Sequence, residues 1–247
     1  MLMLKKAEVS ALLLIFFSVA IFSLPTSGKV FFEDDFEKDK IGGKPKKWDD
    51  PGEQVLKVIK DPEGESGNVL EQQGEANGEG LPIPLGTKPK DAGWTDYMVE
   101  WDWWWDADSW ILLAWRYQGP NDYFYFMRNG KDQKFSWLIF KNNAQVVKVS
   151  EVWPTDLKKW YRFQLSVIGE EFILKGKERS DDTLFEKVKP IMDWKHGAYK
   201  QGPIGLFGAE PRVLWDNMMV YQPGTDPYAV ESSNKLTDTW ARIKSRN

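Results

Sequence analysis

The chain has 247 residues, 14 tryptophans, one histidine, no cysteine and a formal net charge of −4. The lack of cysteine excludes disulfides and thiolate chemistry, and a single histidine excludes a metal centre built on several histidines. The charges are mildly acidic and interspersed, with no basic stripe, so neither nucleic acid nor an anionic membrane is expected as a partner.

The first 28 residues have the pattern of an export signal. Lys5 and Lys6 precede an apolar run at 11–24, and small residues follow at 26–28. This order is typical of a cleaved signal peptide, whereas a membrane-spanning helix needs about 20 apolar residues. We therefore predict a signal peptide over 1–28 and a mature protein that is secreted or periplasmic and free of the membrane after cleavage. An uncleaved anchor is the alternative.

Short strand-like runs follow one another up to residue 222, separated by turns rich in Gly, Pro, Asn and Asp. They lie at 29–36, 55–59, 68–73, 97–105, 110–117, 123–128, 134–141, 145–150, 160–168, 171–175, 202–207 and 212–221, with a long loop at 74–93. This series predicts an all-β protein, a two-sheet antiparallel jelly-roll sandwich that occupies residues 29–222.

The tail at 223–247 has a different pattern. Leu236, Trp240 and Ile243 recur at helical spacing, which predicts a short amphipathic C-terminal helix. We expect this helix to dock on the sandwich, because untied termini tend to fray.

Residues 94–128 hold seven of the tryptophans, and their three strands are expected to form an antiparallel meander. Successive side chains of a strand point to opposite faces. In the first of these strands, one face is therefore fully apolar, while Glu100, Asp102 and Trp104 share the other. Carboxylates mixed with a large amphipathic aromatic favour a recognition surface over a solvated back.

Saccharides present apolar C–H faces and many hydroxyl groups, which proteins bind with aromatic platforms and polar side chains. We predict that Trp104, Tyr123 and Tyr125 are such platforms. Glu100, Asp102 and Arg116 are the predicted polar partners, and all six line one concave groove. The alternatives are core packing of the aromatics and a plain salt bridge within the sheet. Other aromatics are expected in the core, namely Trp101, Trp103, Trp115, Phe124, Phe126, Trp137, Trp160 and Trp215.

Several short motifs, taken in their order, resemble the laminin-G-like bacterial domains of the concanavalin A-like lectin/glucanase superfamily. These motifs are Glu33-Asp34-Asp35-Phe36 with Trp48 downstream, 96–101, Ala114-Trp115-Arg116, Asn121-Asp122-Tyr123, 159–162, 202–206 and 213–217. They cover residues 30–222. The resemblance implies a β-sandwich with a concave face, in a superfamily that includes both sugar binders and glycoside hydrolases.

The resemblance also implies a structural calcium ion near the first and last strands. Asp35 and Asp216 are the candidate ligands, and further ligands of Ca²⁺ are often backbone carbonyls that a sequence does not reveal. Ordinary surface acids are the alternative interpretation of both residues.

More distantly, the chain resembles 3-keto-disaccharide hydrolases and family 16 glycoside hydrolases. The family 16 enzymes carry E-x-D-x-E or E-x-D-x-x-E on a strand, and Glu100 and Asp102 start that pattern. Trp104 and Trp105 occupy the places of the final Glu, so the proton donor is missing. The 3-keto-disaccharide hydrolases carry Asn-Ser-Gly where this chain has Asp108-Ser109-Trp110.

The predicted function is therefore that of a non-catalytic, lectin-like domain whose partner is a poly- or oligosaccharide. Two alternatives remain open. One is a glycoside hydrolase that uses Glu100 and Asp102, and the other is an adhesion or assembly domain that binds a protein partner with the same aromatic face.

Overall fold

The computed structural model describes residues 29–48, 55–73, 85–86, 93–108, 110–119, 121–130, 132–142, 144–208, 212–225 and 227–228. The predicted signal peptide, most of the predicted loop at 74–93 and the predicted C-terminal helix lie outside these residues. Within the described ranges, no helix is both long enough and apolar enough to cross a membrane.

The described part of the chain consists almost entirely of strands. They are β1 (Val30–Asp34), β2 (Val55–Lys60), β3 (Asn68–Gln73), β4 (Leu85–Gly86), β5 (Tyr97–Trp105), β6 (Trp110–Gly119), β7 (Asp122–Asn129), β8 (Lys134–Lys141), β9 (Ala144–Val152), β10 (Tyr161–Ile168), β11 (Glu171–Glu178), β12 (Pro190–Lys195), β13 (Gly205–Gly208) and β14 (Val213–Tyr221). A 3-10 turn, Phe185–Lys187, follows β11. Each predicted run corresponds to one of these strands, while β4 and β12 were not predicted.

The strands form two antiparallel sheets. The large sheet has the order β12-β11-β10-β5-β14-β3-β2, with β1 also paired to β14, and the small sheet has the order β4-β13-β6-β7-β8-β9. This arrangement confirms the predicted two-sheet antiparallel jelly-roll sandwich. The predicted meander is wrong for its first strand, because β5 lies in the large sheet between β10 and β14. The chain crosses to the small sheet between Trp105 and Trp110, and the meander runs from β6 to β9.

Aromatic side chains fill the space between the two sheets. Trp103 and Trp215 meet edge to face with ring centroids 4.9 Å apart, and Trp115 and Trp137 do so at 5.0 Å. Such contacts stabilise a core by about 0.5–1.5 kcal/mol per pair beyond the burial of their area. The predicted core is confirmed for Trp101, Trp103, Trp115, Phe124, Phe126, Trp137 and Trp215.

Trp160 is buried as predicted, but in a second cluster outside the space between the sheets. It packs on the outer face of the large sheet with Val69, Trp104 and Leu214, and the Arg179 guanidinium lies 4.7 Å from its ring. The outer face of this sheet therefore carries a small apolar cluster of its own, next to the polar residues described below.

Candidate functional site

A groove with a volume of about 830 Å³ lies on the outer face of the large sheet. Its floor consists of outward-pointing side chains from β5, β10 and β11, its first wall is the turn region after β11, and its second wall is the segment after β14. Its lining includes Glu100, Arg162, Gln164, Lys175, Lys177, Arg179, Asp181, Asp182, Leu184, Phe185, Glu186, Tyr221 and Tyr228.

Strand register arranges the floor in two rows. In the first row, Arg162 stands between Asp102 on β5 and Lys177 on β11. In the second row, Gln164 stands between Glu100 and Lys175. Because directly paired residues of an antiparallel sheet point to the same side, each row is a line of neighbouring side chains. The carboxylates therefore lie on the β5 side of the groove and the cations on the β10–β11 side.

Asp102 forms the strongest ion pair of the floor. The Arg162 guanidinium donates from Nε to Oδ1 at 2.7 Å and from Nη2 to Oδ2 at 2.9 Å. Asp102 is fully buried, whereas the Arg162 side chain keeps about a third of its surface exposed. The hydrogen bonds to Asp102 raise the pKa of Arg162, so the guanidinium keeps its charge.

Asp216 faces Asp102 from β14, and a β-bulge brings a third polar group to both. The bulge lies between Asp216 and Met219, and Asn217 within it adopts a φ of 49°. This left-handed conformation is one that Asn tolerates better than most residues. Asn217 Nδ2 thereby donates to Asp102 Oδ2 at 2.8 Å and to Asp216 Oδ2 at 3.0 Å.

The Asp216 carboxyl group is held by further donors. The Ser66 hydroxyl donates to Oδ2, and Arg179 Nη1 lies 3.8 Å from the same oxygen and 3.9 Å from Asp102 Oδ2. Burial nevertheless dominates and raises the pKa of Asp216 to about 7. At neutral pH this group is therefore partly protonated beside an ion-paired carboxylate.

Glu100 is also fixed in place. Its Oε1 accepts from the Tyr221 hydroxyl at 2.6 Å and from Gln164 Nε2 at 2.9 Å. Its Oε2 accepts from the Tyr228 hydroxyl at 2.8 Å, although about half of the Tyr228 side chain remains exposed. Burial and the Glu100 charge both raise the pKa of Tyr228, which keeps this hydrogen bond intact over the physiological range.

The structure divides the six predicted ligand-binding residues among three places. Glu100, Asp102 and Trp104 share the outer face of the large sheet, and Asp216 joins them there. Trp104 is only 1% exposed, beneath the Arg212 guanidinium at 5.2 Å, so its ring offers no open platform.

Tyr123 and Tyr125 lie on the outer face of the other sheet. They form an apolar cluster with Leu112, Ala114, Leu138 and Phe140, and both rings are at most 2% exposed. The prediction that they share a groove with Glu100 and Asp102 is wrong, because β7 belongs to the small sheet. The alternation of side chains correctly predicts which residues of a strand share a face, but it does not predict to which sheet the strand belongs.

Arg116 lies at one end of the sandwich rather than in a groove. It sits in a β-bulge of β6 with a φ of 48°, and its guanidinium donates to three backbone carbonyls. The nearest carboxylate is that of Asp96, at 3.8 Å, so the alternative salt bridge with Glu100 or Asp102 does not form.

The two predicted calcium ligands have different surroundings. Asp35 is exposed in the turn after β1, where it accepts from the Glu37 amide at 3.2 Å. Asp216 accepts hydrogen bonds from Ser66 and Asn217, and the Arg179 guanidinium, a cation, lies 3.8 Å from its Oδ2. In the described part of the chain, no group of three or more His, Asp or Glu side chains is arranged to hold a metal ion. The calcium site stays a prediction.

Several residues of the groove were missed by sequence reasoning. Arg162 and Gln164 alternate along β10, and Lys175 and Lys177 alternate along β11. Period-two alternation of polar residues in a hairpin is a readable signal, because it marks one solvent-facing side. Tyr228 carries no such signal, since it lies beyond the last strand and reaches Glu100 only through the folded chain.

Comparison with known proteins establishes the fold. No family model and no curated protein matches the chain. A protein of unknown function with a galectin-like fold from Bacillus subtilis matches with a TM-score of 0.52 at 11% identity, over 81% of this chain and 98% of that one. A xylan β-1,4-xylosidase from Bacillus halodurans matches with a TM-score of 0.51 at 12% identity, over 77% of this chain and 39% of that one.

A carbohydrate-binding module from Bacillus subtilis matches at 16% identity with a TM-score of 0.44, over 69% of this chain and 92% of that one. Galectins are also among the similar structures. The two-sheet topology and the two matches with TM-scores above 0.5 show the jelly-roll sandwich fold that the sequence resemblance implied. Carbohydrate-binding modules, galectins and glycoside hydrolases share this fold, and a fold alone does not choose among them.

Proposed function

We propose that this protein is an exported carbohydrate-binding domain whose groove on the outer face of the large sheet binds a poly- or oligosaccharide without cleaving it. The observation that carries the proposal is a groove floor of polar side chains already held in place by hydrogen bonds. Glu100 accepts three of them, and Arg162 is fixed by Asp102. Prearranged groups lose little conformational freedom on binding, which favours recognition of the many hydroxyl groups of a sugar.

The walls of the groove supply the apolar contacts that a sugar ring needs. Tyr228 is 53% exposed on one wall, and Leu184 is 64% exposed on the other. An aromatic ring beside fixed acceptors suits a saccharide, whose C–H face packs on the ring while its hydroxyl groups bond to neighbouring polar atoms.

The state of the two carboxylates supports binding over hydrolysis. A retaining glycosidase needs an accessible nucleophile and a proton donor about 5–5.5 Å from it, on either side of the scissile bond. Asp102 is fully buried in a bidentate ion pair, and both oxygens of Glu100 already accept hydrogen bonds. Neither carboxylate is thus free to attack a sugar carbon.

One observation favours hydrolysis as the second candidate. Asp216, whose pKa is raised to about 7, faces the ion-paired carboxylate of Asp102. A carboxyl group that keeps its proton near neutral pH beside an ionised one is the pattern of a general acid next to a base. Both groups are buried, which is why binding remains the first proposal.

Affinity electrophoresis of the full chain through gels that contain different polysaccharides tests the proposal, with a reducing-end assay on the same glycans. We expect retardation by at least one glycan and no new reducing ends. Retardation by none of a broad panel would refute carbohydrate binding. New reducing ends that disappear in Asp216→Asn would establish the hydrolase instead.

A further inference from the structure

We infer that the saccharide bound in this groove is anionic, and that Lys175 and Lys177 of β11 receive its carboxylate or sulfate group. The inference rests on the proposed function and names the class of ligand. Both lysines point to the outer face and line the groove, two residues apart on one strand. Their Cα atoms are therefore separated by about 6.8 Å, a spacing that allows two ammonium groups to converge on one anionic group.

The first argument is an unfavourable pairing of like charges. Lys177 stands directly opposite Arg162, and like charges at paired positions of a sheet destabilise it. The bidentate pair with Asp102 offsets the charge of Arg162, whereas Lys177 donates to backbone carbonyls. Lys175 and Lys177 thus place two cations side by side on β11, and an anionic ligand would neutralise them.

The second argument is the choice of partners for the ammonium groups. Lys175 Nζ donates to the Phe185 carbonyl at 2.6 Å. Lys177 Nζ donates to the carbonyls of Asp181, at 2.8 Å, and Thr183. Each ammonium has three donors, so two remain on Lys175 and one on Lys177 after these neutral partners are counted.

The acidic residues of the wall do not take up these donors. Asp181, Asp182 and Glu186 line the same groove, but among the described residues none of them lies within ion-pair distance of either lysine. The Asp181 carboxylate instead accepts from the Thr183 amide at 2.8 Å. Hydrogen bonds from Thr183, and also the charge of Lys177, lower the pKa of Asp181. Even so, among the described residues no carboxylate of the wall bonds directly to either ammonium group.

Anchoring also orients the charge. The Phe185 ring lies 5.1 Å from Lys177 Nζ, and the carbonyls of the 3-10 turn region hold both ammonium groups from the wall side. A long side chain fixed in this way loses less freedom when a ligand binds. The acid group of the sugar would lie against β11, while its ring and hydroxyl groups would meet Tyr228 and Glu100 on the opposite side.

The test compares acidic glycans with neutral partners of the same backbone, using the full chain. One pair is a polygalacturonate oligosaccharide and its methyl ester, and the other is dextran sulfate and dextran. We expect at least one acidic member to bind about tenfold or more tightly than its neutral partner, the effect of a single charge-assisted hydrogen bond. The arm that shows this preference identifies the group as carboxylate or sulfate. Added salt should weaken binding of the acidic member only.

Lys175→Met and Lys177→Met remove the charge and keep most of the length of the side chain. Each should weaken the acidic glycan about tenfold and leave neutral glycans unchanged. The matched control is Lys195→Met, because Lys195 on β12 is exposed, pairs with Glu171 at 3.4 Å and lies outside the groove. This control should bind like the wild type.

Equal affinity for acidic and neutral partners in both pairs would overturn the inference and leave the proposed function standing. So would unchanged affinity in both lysine variants. Binding of no glycan at all would instead refute the proposed function, and the inference with it. Thermal unfolding of each variant verifies that a loss of affinity is not a loss of fold.

Discussion

Replacing Arg116 by Met tests whether this residue holds the fold together or holds a ligand. Its guanidinium is 1% exposed and donates to the carbonyls of Thr95 at 2.9 Å, Gly169 at 2.7 Å and Tyr199 at 2.8 Å. These carbonyls belong to three segments that are far apart in sequence. Arg116 therefore ties together one end of the sandwich.

The expected loss follows from these contacts. Hydrogen bonds from a charged donor contribute about 1.5–3 kcal/mol each, and the variant would leave three carbonyls without that donor. Two effects reduce the loss. Burial lowers the pKa of Arg116, which shows that desolvating its charge is costly, and Met fills a similar space with apolar atoms. We expect the free energy of unfolding to fall by about 3–5 kcal/mol, the usual effect of removing one member of a buried polar set.

Urea unfolding followed by tryptophan fluorescence measures this change. The matched control is Lys200→Met at the same end of the sandwich, where an exposed cation pairs with Glu170. We expect that control to change stability by less than about 1 kcal/mol. A loss below about 1 kcal/mol in Arg116→Met would refute the structural role. If the variant folds stably but no longer binds glycan, Arg116 belongs to the ligand site.

Three further predictions concern stability. The pKa of Asp216 is raised to about 7, above its ordinary value near 3.8. Between these two pH values the folded protein therefore binds more protons than the unfolded chain. Because of this difference, the free energy of unfolding falls as the pH rises from about 4 to 7. Asp216→Asn should flatten this decline in denaturation measured at pH 5 and pH 8, and an unchanged slope would count against the account. Gly202→Ala should cost about 2–3 kcal/mol in thermal unfolding, since its Cβ would lie 2.8 Å from two backbone atoms at a φ of 138°. Gly224→Ala, at a φ of 74° with nothing within 4 Å, is the control and should lose clearly less. Arg162→Met should lower the free energy of unfolding by about 2–3 kcal/mol, because it leaves the buried Asp102 carboxylate without its bidentate partner. Adding Asp102→Asn to this variant should recover part of that loss. A fully additive double variant would show that the pair is not coupled.

The strands and most of the core follow from the sequence because they depend on local alternation. In β5, for example, every second side chain is a large apolar residue, and these residues meet the core as predicted. The rows of the groove floor were also within reach. The turn at Gly169-Glu170 fixes the hairpin register, and that register places Arg162 opposite Lys177 and Gln164 opposite Lys175.

Other features depend on contacts between distant parts of the chain. The sequence of a strand does not show whether an outward-facing aromatic ring is exposed to solvent or covered by another segment. Trp104 and Tyr123 were therefore predicted to be platforms, although both are buried. The bulge that turns Asn217 onto Asp102 arises where β14 meets β5. The Tyr228 contact with Glu100 joins residues 128 positions apart. The alternation of side chains along a strand predicts none of these three features.

We propose the groove of the large sheet, and not the outer face of the small sheet, as the saccharide site. Tyr228 and Trp110 allow a matched test, because they are 53% and 51% exposed and lie on the outer faces of the large and small sheets, respectively. Glycan affinity should be measured for the full chain and for Tyr228→Ala and Trp110→Ala. If the groove is the site, we expect about tenfold weaker binding in Tyr228→Ala, through loss of one aromatic contact, and unchanged binding in Trp110→Ala. Loss of binding in Trp110→Ala with full binding in Tyr228→Ala would contradict it and place the site on the small sheet.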